Sequence, residues 1–490
     1  MTGPTSLYRP SLGLLTDLYQ LTMAYGYHKS GVGDHQATFH LNFRQNPFAG
    51  GYTLTAGLAY VIDWLAHFGF DRTDLEYLAG LEGNDGRPLF DAAFLEYLKA
   101  MRFTCDVRAM PEGTPAFPYE PLLRVTGPII QAQLLETPLL NMINFQSLIA
   151  TKAARVCQST GGDPVLEFGL RRAQGIDGAL AASRAAFIGG CAATSNVLAG
   201  RLFGIPVRGT HAHSWVMCFD SEPDAFEAYA RALPNNCVFL VDTYDTLQGV
   251  RRAIAAGQKL REQGHKLVGI RLDSGDLAYL SGQARKMLDQ AGFTGAVILA
   301  SNDLDEHIIA SLKQQGACIG LWGVGTKLVT GHDQPAIGGV YKMSAIRRPG
   351  GPWQNKIKLS EQVLKVSNPG IQQVRRYRDG NRFVGDAIYD ERRGLIDGCT
   401  IVDPLDMTRR KTLETGLAHD DLLVPIFDRG RCVYDPPSLP SIRQRVGEQL
   451  ACLDETVKRF VHPHQYPAGL EESLFNSKTD LIMSARRENM

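Results

Sequence analysis

The sequence lacks an excess of charge of either sign. Its 490 residues include 51 Lys and Arg and 51 Asp and Glu, so the formal net charge is zero at pH 7. A protein that binds nucleic acids or anionic membranes through its general surface needs an excess of positive charge. We therefore expect neither as a partner, and we expect any anion-binding site to be a local cluster of basic residues.

The sequence also lacks CxxC pairs and long apolar runs. An odd number of cysteines, nine, without such pairs argues against a disulfide framework and favours a reducing, cytoplasmic location. The first ten residues hold one arginine and no apolar segment of the kind found in signal peptides. The least polar long stretch, residues 139–151, is interrupted by Asn, Gln and Ser side chains. The sequence thus predicts neither export nor a membrane span.

The composition, with 44% hydrophobic residues and 50 glycines, is typical of a globular protein of several domains. In the middle of the chain, short β-branched segments alternate with amphipathic helical segments that end at glycine. This alternation predicts parallel strands connected by helices. The candidate strands are Val165–Phe168, Ile205–Gly209, Val238–Val241, Leu267–Arg271, Val297–Ala300 and Ile319–Trp322, with one more near Phe187.

Polar residues follow each candidate strand, and they help to choose between two architectures. An open doubly wound sheet and a closed barrel both bury parallel strands under helices. A barrel gathers the carboxyl ends of all its strands around one mouth, whereas an open sheet uses mainly the crevice at its switch point. The polar strand ends therefore favour an α/β barrel.

The barrel is predicted to span residues 151–339. The flanking residues 1–150 and 340–395 contain alternating apolar and polar runs, which predict a further sheet outside the barrel. We expect these two segments to form one N-terminal α/β sandwich domain. Residues 396–490 contain an amphipathic helix and are expected to form a C-terminal helical region.

Two histidines, His211 and His213, lie near the end of a candidate strand. If the strand conformation continues, both imidazoles point the same way and could hold a metal, as in barrel hydrolases. Either histidine could instead be a structural residue without a chemical role. In the third interpretation, one imidazole is a nucleophile or proton carrier, and Asp242 at the next strand end fixes its tautomer.

Arg271 and Asp273 place a guanidinium and a carboxylate on the same side of another strand end. The fork of an arginine suits a carboxylate or a phosphate. Asp273 could face a developing positive charge or a metal-bound pyrophosphate, and Asp276 is expected to cap the next helix. The pair could also be a structural salt bridge.

The residues at two further strand ends could either bind a ligand or have a purely structural role. Gly325 and Thr326 belong to a glycine turn whose amides could approach a phosphate, although such a turn is common without any ligand. Phe168 could stack on a flat ring or belong to the core.

Seven strings together resemble those of the nicotinate phosphoribosyltransferases, through most of the chain. The strings are Thr16–Met23, Asn42–Phe48, Glu167–Arg172, Thr194–Gly200, Gly209–Trp215, Val241–Thr246 and Arg271–Asp276. The resemblance implies a type II phosphoribosyltransferase fold, with an irregular α/β barrel, an N-terminal open-faced α/β sandwich and a C-terminal region. The implied reaction joins nicotinate to phosphoribosyl pyrophosphate, releases pyrophosphate and gives nicotinate mononucleotide for NAD synthesis, with coupled ATP hydrolysis.

The resemblance also implies the roles of individual residues. ATP would phosphorylate His213, with Asp242 as its orienting carboxylate, whereas His211 fills a position that varies in the family. Phe168 would stack on the pyridine ring, Tyr19 of a second subunit would cover its other face, and a homodimer would complete the site. Arg271 would bind the pyridine carboxylate and Asp273 would lie near the ribose. The candidates for other substrate contacts are Thr210, Arg171, Arg44, Gly325 and Thr326, with Mg²⁺ on the pyrophosphate.

Two positions bear on selectivity and on phosphate binding. The nicotinamide relatives have an Asp where this chain has Asn196, and an extra carboxylate there would repel nicotinate. After Asn368-Pro-Gly370 the family usually has lysines, whereas Ile371, Gln372 and Gln373 follow here. The alternatives are a nicotinamide or quinolinate enzyme, a metal-dependent barrel hydrolase and a non-catalytic pyridine sensor.

Overall fold

The computed structural model describes residues 11–488, which fall into two compact units. The first unit comprises the described parts of Met1–Leu148 and Ala336–Met490, and the second comprises Ile149–Pro335. The first ten residues, on which the expectation about a signal peptide rests, lie outside the described residues. None of the helices within residues 11–488 is long and apolar enough to cross a membrane.

The N-terminal part of the first unit contains five strands in its described residues. They are β1 (Gln36–Phe43), β2 (Thr53–Leu54), β3 (Asp106–Ala109), β4 (Pro115–Ala116) and β5 (Leu123–Pro128). The helices are α1 (Leu18–Lys29), α2 (Leu58–Ala66), α3 (Arg72–Ala79), α4 (Ala92–Ala100) and α5 (Ile129–Leu134). Helix α6 (Glu136–Ser159) begins in the first unit and ends in the second.

The second unit alternates strands and helices, as the sequence predicts. The strands are β6 (Val165–Glu167), β7 (Ala193–Thr194), β8 (Val238–Leu240), β9 (Gly269–Leu272), β10 (Val297–Ala300) and β11 (Leu321–Val324). The helices are α7 (Gly175–Ile188), α8 (Val197–Phe203), α9 (His213–Met217), α10 (Glu222–Ala232), α11 (Thr246–Glu262), α12 (Leu277–Gln290), α13 (Glu306–Gln314) and α14 (Thr326–Val329).

The chain then returns to the first unit. The strands there are β12 (Gly339–Arg347), β13 (Gln354–Asn355), β14 (Gln372–Asp379), β15 (Arg382–Asp390), β16 (Cys399–Val402), β17 (Arg410–Leu413), β18 (Ala418–Asp421), β19 (Val424–Asp428), β20 (Arg431–Cys432) and β21 (Ala468–Glu471). The helices are α15 (Leu439–Ala451) and α16 (Glu472–Glu488). Short 3₁₀ turns occur at Pro47–Ala49, Leu170–Arg172 and Val363–Lys365.

Two large sheets organise the first unit. One sheet has the order β13, β12, β1, β5, β3, β19 and β20, and its strands are antiparallel. Strand β1 therefore pairs with the neighbouring β5 and with the returning β12. The other sheet has the order β17, β16, β21, β15, β14 and β18 and is built from the C-terminal part of the chain.

The expectation of a helical C-terminal region is therefore incomplete. Residues 396–490 supply α15 and α16, but they also supply six of the strands within the described residues. These strands join both large sheets, and the whole segment belongs to the first compact unit. Three of the six, β17, β18 and β20, are short and largely exposed, so they lack the apolar alternation that identifies a strand in a sequence.

The second unit contains a parallel sheet with the strand order β7, β6, β11, β10, β9 and β8. Five of the predicted strands are present in it with ends shifted by up to two residues. Two predictions are wrong. The segment near Phe187 lies in α7, and Ile205–Gly209 forms only an isolated bridge between Val207 and Thr194. Pro206 has no N–H group, so this segment cannot continue the ladder.

The two edges of the parallel sheet lie against the same segment. Val207 bridges to Thr194 in β7, and four residues later the side chain of His211 accepts a hydrogen bond from Leu240 N in β8, at 3.2 Å. A side chain thus satisfies an edge amide that a neighbouring strand would otherwise satisfy. The structure shows a mixed α/β fold with this partial barrel, whereas a continuous closed ladder is not seen among the described residues.

Candidate active site

Polar side chains gather at the carboxyl ends of the parallel strands in the second unit. Asp242 and Thr243 follow β8, Arg271 and Asp273 lie at the end of β9, and Ser301 follows β10. Because these strands are parallel neighbours, their carboxyl ends lie along one edge of the sheet. This edge carries the candidate site.

The guanidinium of Arg271 is the centre of the cluster. Its Nε donates to Ser301 Oγ at 2.8 Å and its Nη1 donates to Thr210 Oγ1 at 3.0 Å. Its Nη2 donates to Asp273 Oδ1 at 2.8 Å. Its Cζ lies 5.7 Å from the centre of the Phe168 ring. An arginine has five N–H donors, so two remain for a ligand beyond these three bonds within the described residues.

Asp273 is held in its charged form. Burial raises the pKa of Asp273. The hydrogen bond from Ser301 and the charge of Arg271 together lower it by more than burial raises it, so the pKa lies below the ordinary value of an aspartate. Its second oxygen, Oδ2, lies 3.8 Å from Nε2 of His213. A fixed negative charge in this position can stabilise a positive charge that develops beside it.

His213 begins α9 and its side chain is 40% exposed. Its Nδ1 lies 3.1 Å from Thr243 Oγ1, within hydrogen-bond distance. Its Nε2 faces two carboxylates, Asp242 Oδ1 at 4.0 Å and Asp273 Oδ2 at 3.8 Å. The ring is therefore accessible and oriented, as a nucleophile or proton carrier must be.

Asp242 is positioned by its neighbours on the following strand. Ser274 Oγ donates to Asp242 Oδ2 at 2.5 Å, and the amide of Asp273 donates to the same oxygen at 3.0 Å. Its other oxygen, Oδ1, is buried and accepts no hydrogen bond in the described part of the chain. Carboxylate oxygens of this kind, together with substrate phosphates, are what proteins offer to Mg²⁺. No group of three or more His, Cys, Asp or Glu side chains among the described residues is arranged to hold a metal alone.

His211 has a different environment from His213, although the two are two positions apart. It is 7% exposed and packs among aromatic rings, with Tyr229 at 4.9 Å between ring centres. Burial lowers the pKa of His211 to about 4, so the ring is neutral and its Nε2 accepts the hydrogen bond from Leu240 N. The structure therefore supports a structural role for His211, because its Nε2 is occupied by the Leu240 amide and is not free to bind a metal together with His213.

Phe168 lies beside Arg271 because a glycine makes room for its ring. A Cβ atom at Gly323 in β11 would lie 2.8 Å from two carbons of the Phe168 ring. The amide of Phe168 donates to Val324 O at 2.8 Å, which fixes the backbone of this residue on the same strand. The ring is half-buried, so it belongs partly to the core and partly to the site.

A buried carboxylate, Glu167, supports the backbone around Phe168. It accepts hydrogen bonds from the Gly169 amide, from Ser183 Oγ at 2.8 Å and from Thr194 Oγ1 at 2.6 Å. Asn196 lies in the same network. It is 1% exposed, its Oδ1 caps α8 by accepting from Ala199 N, and its Nδ2 donates to Ser183. Asn196 is therefore too deeply buried to contact a ligand. An aspartate in its place would act on a ligand through its negative charge.

The remaining predicted residues of the second unit lie on neighbouring loops. Arg171 is exposed in the turn Leu170–Arg172 directly after Phe168. Gly325 and Thr326 follow β11 and begin α14. The backbone of Gly325 passes close to that of Phe168, since a Cβ at Gly325 would lie 3.2 Å from Phe168 O.

Two predicted residues, Tyr19 and Arg44, belong to the first unit. Tyr19 lies in α1 and is 48% exposed, and its pKa is raised by burial and by Glu136. Arg44 follows β1 and lines a small pocket of the first unit together with Lys342, Lys365 and Asn368.

The turn at Asn368-Pro-Gly370 continues into the interior of the first unit. Ile371, Gln372 and Gln373 are all buried, and Gln373 Nε2 donates to Leu423 O at 3.0 Å. Of these three residues only Gln372 lines the Arg44 pocket, and its amide carries no charge. Lys365, on the other side of the turn, supplies the positive charge.

Sequence reasoning missed three hydroxyl residues, Thr243, Ser274 and Ser301. They bond His213, Asp242 and Arg271 respectively. Thr243 and Ser274 lie next to the identified residues Asp242 and Asp273, and Ser301 follows the neighbouring strand β10. A search for hydroxyl residues adjacent to the predicted charged groups would have found them, since charged groups need such partners.

Comparison with known proteins gives consistent matches. A family model described as the nicotinate phosphoribosyltransferase (NAPRTase) N-terminal domain matches residues 14–144, and the C-terminal domain model matches residues 371–478. A nicotinate phosphoribosyltransferase of Bacillus subtilis is 45% identical over 477 residues, which cover 96% of this chain and 95% of that protein.

Two solved structures resemble the fold. The crystal structure of human nicotinic acid phosphoribosyltransferase superposes with a TM-score of 0.83 at 32% identity, covering 95% of this chain and 99% of that one. The nicotinate-nucleotide pyrophosphorylase from Pyrococcus furiosus superposes with a TM-score of 0.68 at 22% identity, covering 92% and 97%, which shows a likeness of fold alone. From the identity and the coverage together, this chain belongs to the nicotinate phosphoribosyltransferase family.

Proposed function

We propose that this protein forms nicotinate mononucleotide and pyrophosphate from nicotinate and phosphoribosyl pyrophosphate, the first step of NAD salvage from nicotinate. The observation that carries the proposal is the continuous contact of Phe168, Arg271, Asp273 and His213 at one edge of the parallel sheet. An aromatic side chain suits the flat pyridine ring, and a guanidinium suits its carboxylate. A carboxylate suits the positive charge that develops on the ribose. Family membership supports the same reaction.

The pyridine ring stacks on Phe168 and its carboxylate takes the two remaining donors of Arg271. Asp273 lies beside C1 of the ribose and stabilises the positive charge that grows there as pyrophosphate leaves. Thr210, which already bonds Arg271, contacts the same substrate. The bond from C1 to the pyrophosphate oxygen breaks and the bond from C1 to the pyridine nitrogen forms.

ATP hydrolysis is coupled to this reaction through His213. The γ-phosphoryl group of ATP moves to a ring nitrogen of His213, ADP leaves, and water later releases the phosphate. The exposure of the ring, its contact with Thr243 and the nearby Asp242 support this role. Mg²⁺ would be held by Asp242 and Asp273 with the substrate phosphates, and it would neutralise the charge of the leaving pyrophosphate. Arg171, Arg44, Gly325 and Thr326 are the proposed contacts of the phosphate groups.

The active form is proposed to be a cytoplasmic homodimer built on an irregular barrel. Tyr19 and its neighbours in the sequence Leu15, Leu18 and Met23 are all exposed. Together they offer an apolar surface that a second copy of the chain would cover. The partner's Tyr19 would then close the pyridine site. Sedimentation analysis is expected to give the mass of a dimer, and Met23→Asp is expected to shift it toward the monomer; a wild-type monomer with full activity would exclude the shared site.

The substrate assignment is tested by incubating the protein with phosphoribosyl pyrophosphate, Mg²⁺ and ATP. Nicotinate is expected to give nicotinate mononucleotide with release of ADP. Nicotinamide or quinolinate in its place is expected to give no comparable product. Product from nicotinamide but not from nicotinate would overturn the assignment. Binding of nicotinate without turnover would indicate a sensor.

A further inference from the structure

A lysine of the last helix reaches the wall of the Arg44 pocket. Lys478 in α16 is 5% exposed, and its Nζ donates to Asn368 Oδ1 at 2.9 Å. Its Nζ also lies 3.5 Å from Pro404 O. Asn368 lines the pocket together with Arg44, Lys365 and Ser367. One residue, Asn368, is therefore shared by the pocket wall and by the buried lysine.

The pocket has the composition of a phosphate site. Arg44, Lys342 and Lys365 line it, and no carboxylate is among its described lining residues. Lys342 is partly neutralised by Glu136, whose Oε1 lies at 3.6 Å. Arg44 and Lys365 therefore carry the positive charge that an anion would meet, and the hydroxyl and amide groups of Ser367 and Asn368 can complete its hydrogen bonds.

The turn that carries these side chains is fixed at its backbone by several bonds. Gln372 Nε2 donates to Asn368 O at 2.8 Å, and Gly370 N donates to Ser344 O at 3.1 Å. Ser367 Oγ accepts from Lys358 N at 2.8 Å. The side chain of Asn368 is held separately, by Lys478 from a helix more than 100 residues further along the chain.

A neutral donor could make the same hydrogen bond to Asn368 Oδ1. The presence of a charged ammonium group at this buried position therefore requires an explanation. Burial of an ammonium group costs free energy unless a favourable interaction offsets it. Burial lowers the pKa of Lys478 to about 8, an effect that Asp403 partly opposes. The group therefore keeps most of its charge at neutral pH, next to a residue that faces the pocket.

We propose that Lys478 is a positioning residue for phosphate binding. It holds the side chain of Asn368 in the wall of the Arg44 pocket, and its positive charge favours an anion there. The anion is a phosphate group of phosphoribosyl pyrophosphate, so this role rests on the proposed function.

The test compares Lys478→Met with the wild-type protein in steady-state kinetics. Because a hydrogen bond to a charged group is removed, the KM for phosphoribosyl pyrophosphate is expected to rise about tenfold, while kcat and the KM for nicotinate change by less than about twofold. The matched control is Arg486→Met, an exposed cation of the same helix, for which no change is expected. Lys478→Arg should restore part of the affinity.

A second variant keeps the proposal testable if Lys478→Met does not fold. Asn368→Ala removes the acceptor and is expected to raise the same KM, and the effect of the double variant should be clearly smaller than the product of the two single effects, because both substitutions remove the same Lys478–Asn368 bond. An unchanged KM for phosphoribosyl pyrophosphate in folded Lys478→Met, or additive effects in the double variant, would overturn the proposal.

Calorimetry with pyrophosphate alone separates this proposal from the proposed reaction. Weaker binding by Lys478→Met than by the wild-type protein supports the role of Lys478 even if no nicotinate mononucleotide forms. Equal binding by both overturns it even if the enzyme is active. No pyrophosphate binding by an active wild-type protein also overturns it.

Discussion

At the scale of single residues, the chemistry depends on how His213 is held. Thr243 contacts its Nδ1, and Asp242 and Asp273 face its Nε2. Asp242 is in turn fixed by Ser274 and by the backbone of Asp273. The imidazole is thus oriented by groups from two neighbouring strand ends, which would keep its ring nitrogens in defined positions for the proposed transfer of a phosphoryl group.

Replacing His213 tests the coupling mechanism. His213→Ala is expected to abolish acid-labile phosphate on the protein and to lower ATP hydrolysis by about 100-fold or more, because the phosphoryl acceptor is lost. A slow synthesis of nicotinate mononucleotide without ATP should remain, since Phe168, Arg271 and Asp273 are unchanged. His332→Ala, an exposed histidine of the same unit, is the control. Normal ATP-driven synthesis by His213→Ala would rule the mechanism out.

Several residues of the site could be predicted from the sequence and others could not. Asp276 caps α12 by accepting from Tyr279 N at 3.0 Å, as its position before an amphipathic segment predicts. Asp242, Arg271 and Asp273 come together because parallel strand ends share an edge, whereas His213 reaches them from the first residue of α9, after a segment that forms only an isolated bridge. Thr243 and Ser301 also follow strand ends, but their hydrogen-bond partners could not be predicted, because these partners depend on the register between strands.

At the scale of elements, a glycine in one strand makes room for the ring of Phe168, the proposed stacking surface for pyridine, at the end of the paired strand. Gly323 in β11 faces the ring of Phe168, which follows β6, and these two strands are paired in parallel. The register of the pair therefore fixes which residue must be small. A strand pattern read from the sequence gives the strands but not this register, which is why the role of Gly323 was not foreseen.

Gly323→Ala is expected to displace the Phe168 ring, since the new methyl group would lie 2.8 Å from it. We expect the KM for nicotinate to rise about tenfold with little change in the KM for phosphoribosyl pyrophosphate, because stacking on an aromatic ring contributes about 1 kcal/mol or more. Gly320→Ala, where the nearest atom is 3.9 Å away, is the matched control. Equal effects of the two substitutions on nicotinate would contradict the stacking role of Phe168.

The wrong or missing predictions of helices and strands have physical causes. The segment around Phe187 is rich in alanine, so it forms the buried helix α7 rather than a strand. Strand β18 is fully exposed and contains two aspartates. Its pairing with β14 is supported by ion pairs such as Arg375 with Asp421 at 2.8 Å, which no apolar pattern can reveal.

At the scale of the whole molecule, the two units differ in how the chain builds them. The second unit is one continuous stretch, Ile149–Pro335, whereas the first unit combines both ends of the chain. The sequence predicted the return of the chain after the barrel, because alternating runs reappear there. It did not predict that the C-terminal strands would join the same unit, because β19 and β20 are short and β19 pairs with β3, a strand more than 300 residues earlier in the chain, while β20 pairs with β19.

The pairing of β1 with β12 has a consequence for biosynthesis. Gln36 pairs with Arg347, so the ribosome makes β1 about 300 residues before the strand that covers one of its edges. The continuous unit emerges in between and can become compact while β1 still has an open edge. Nascent chains of this protein must therefore protect an exposed apolar strand from aggregation until translation is well past the catalytic unit.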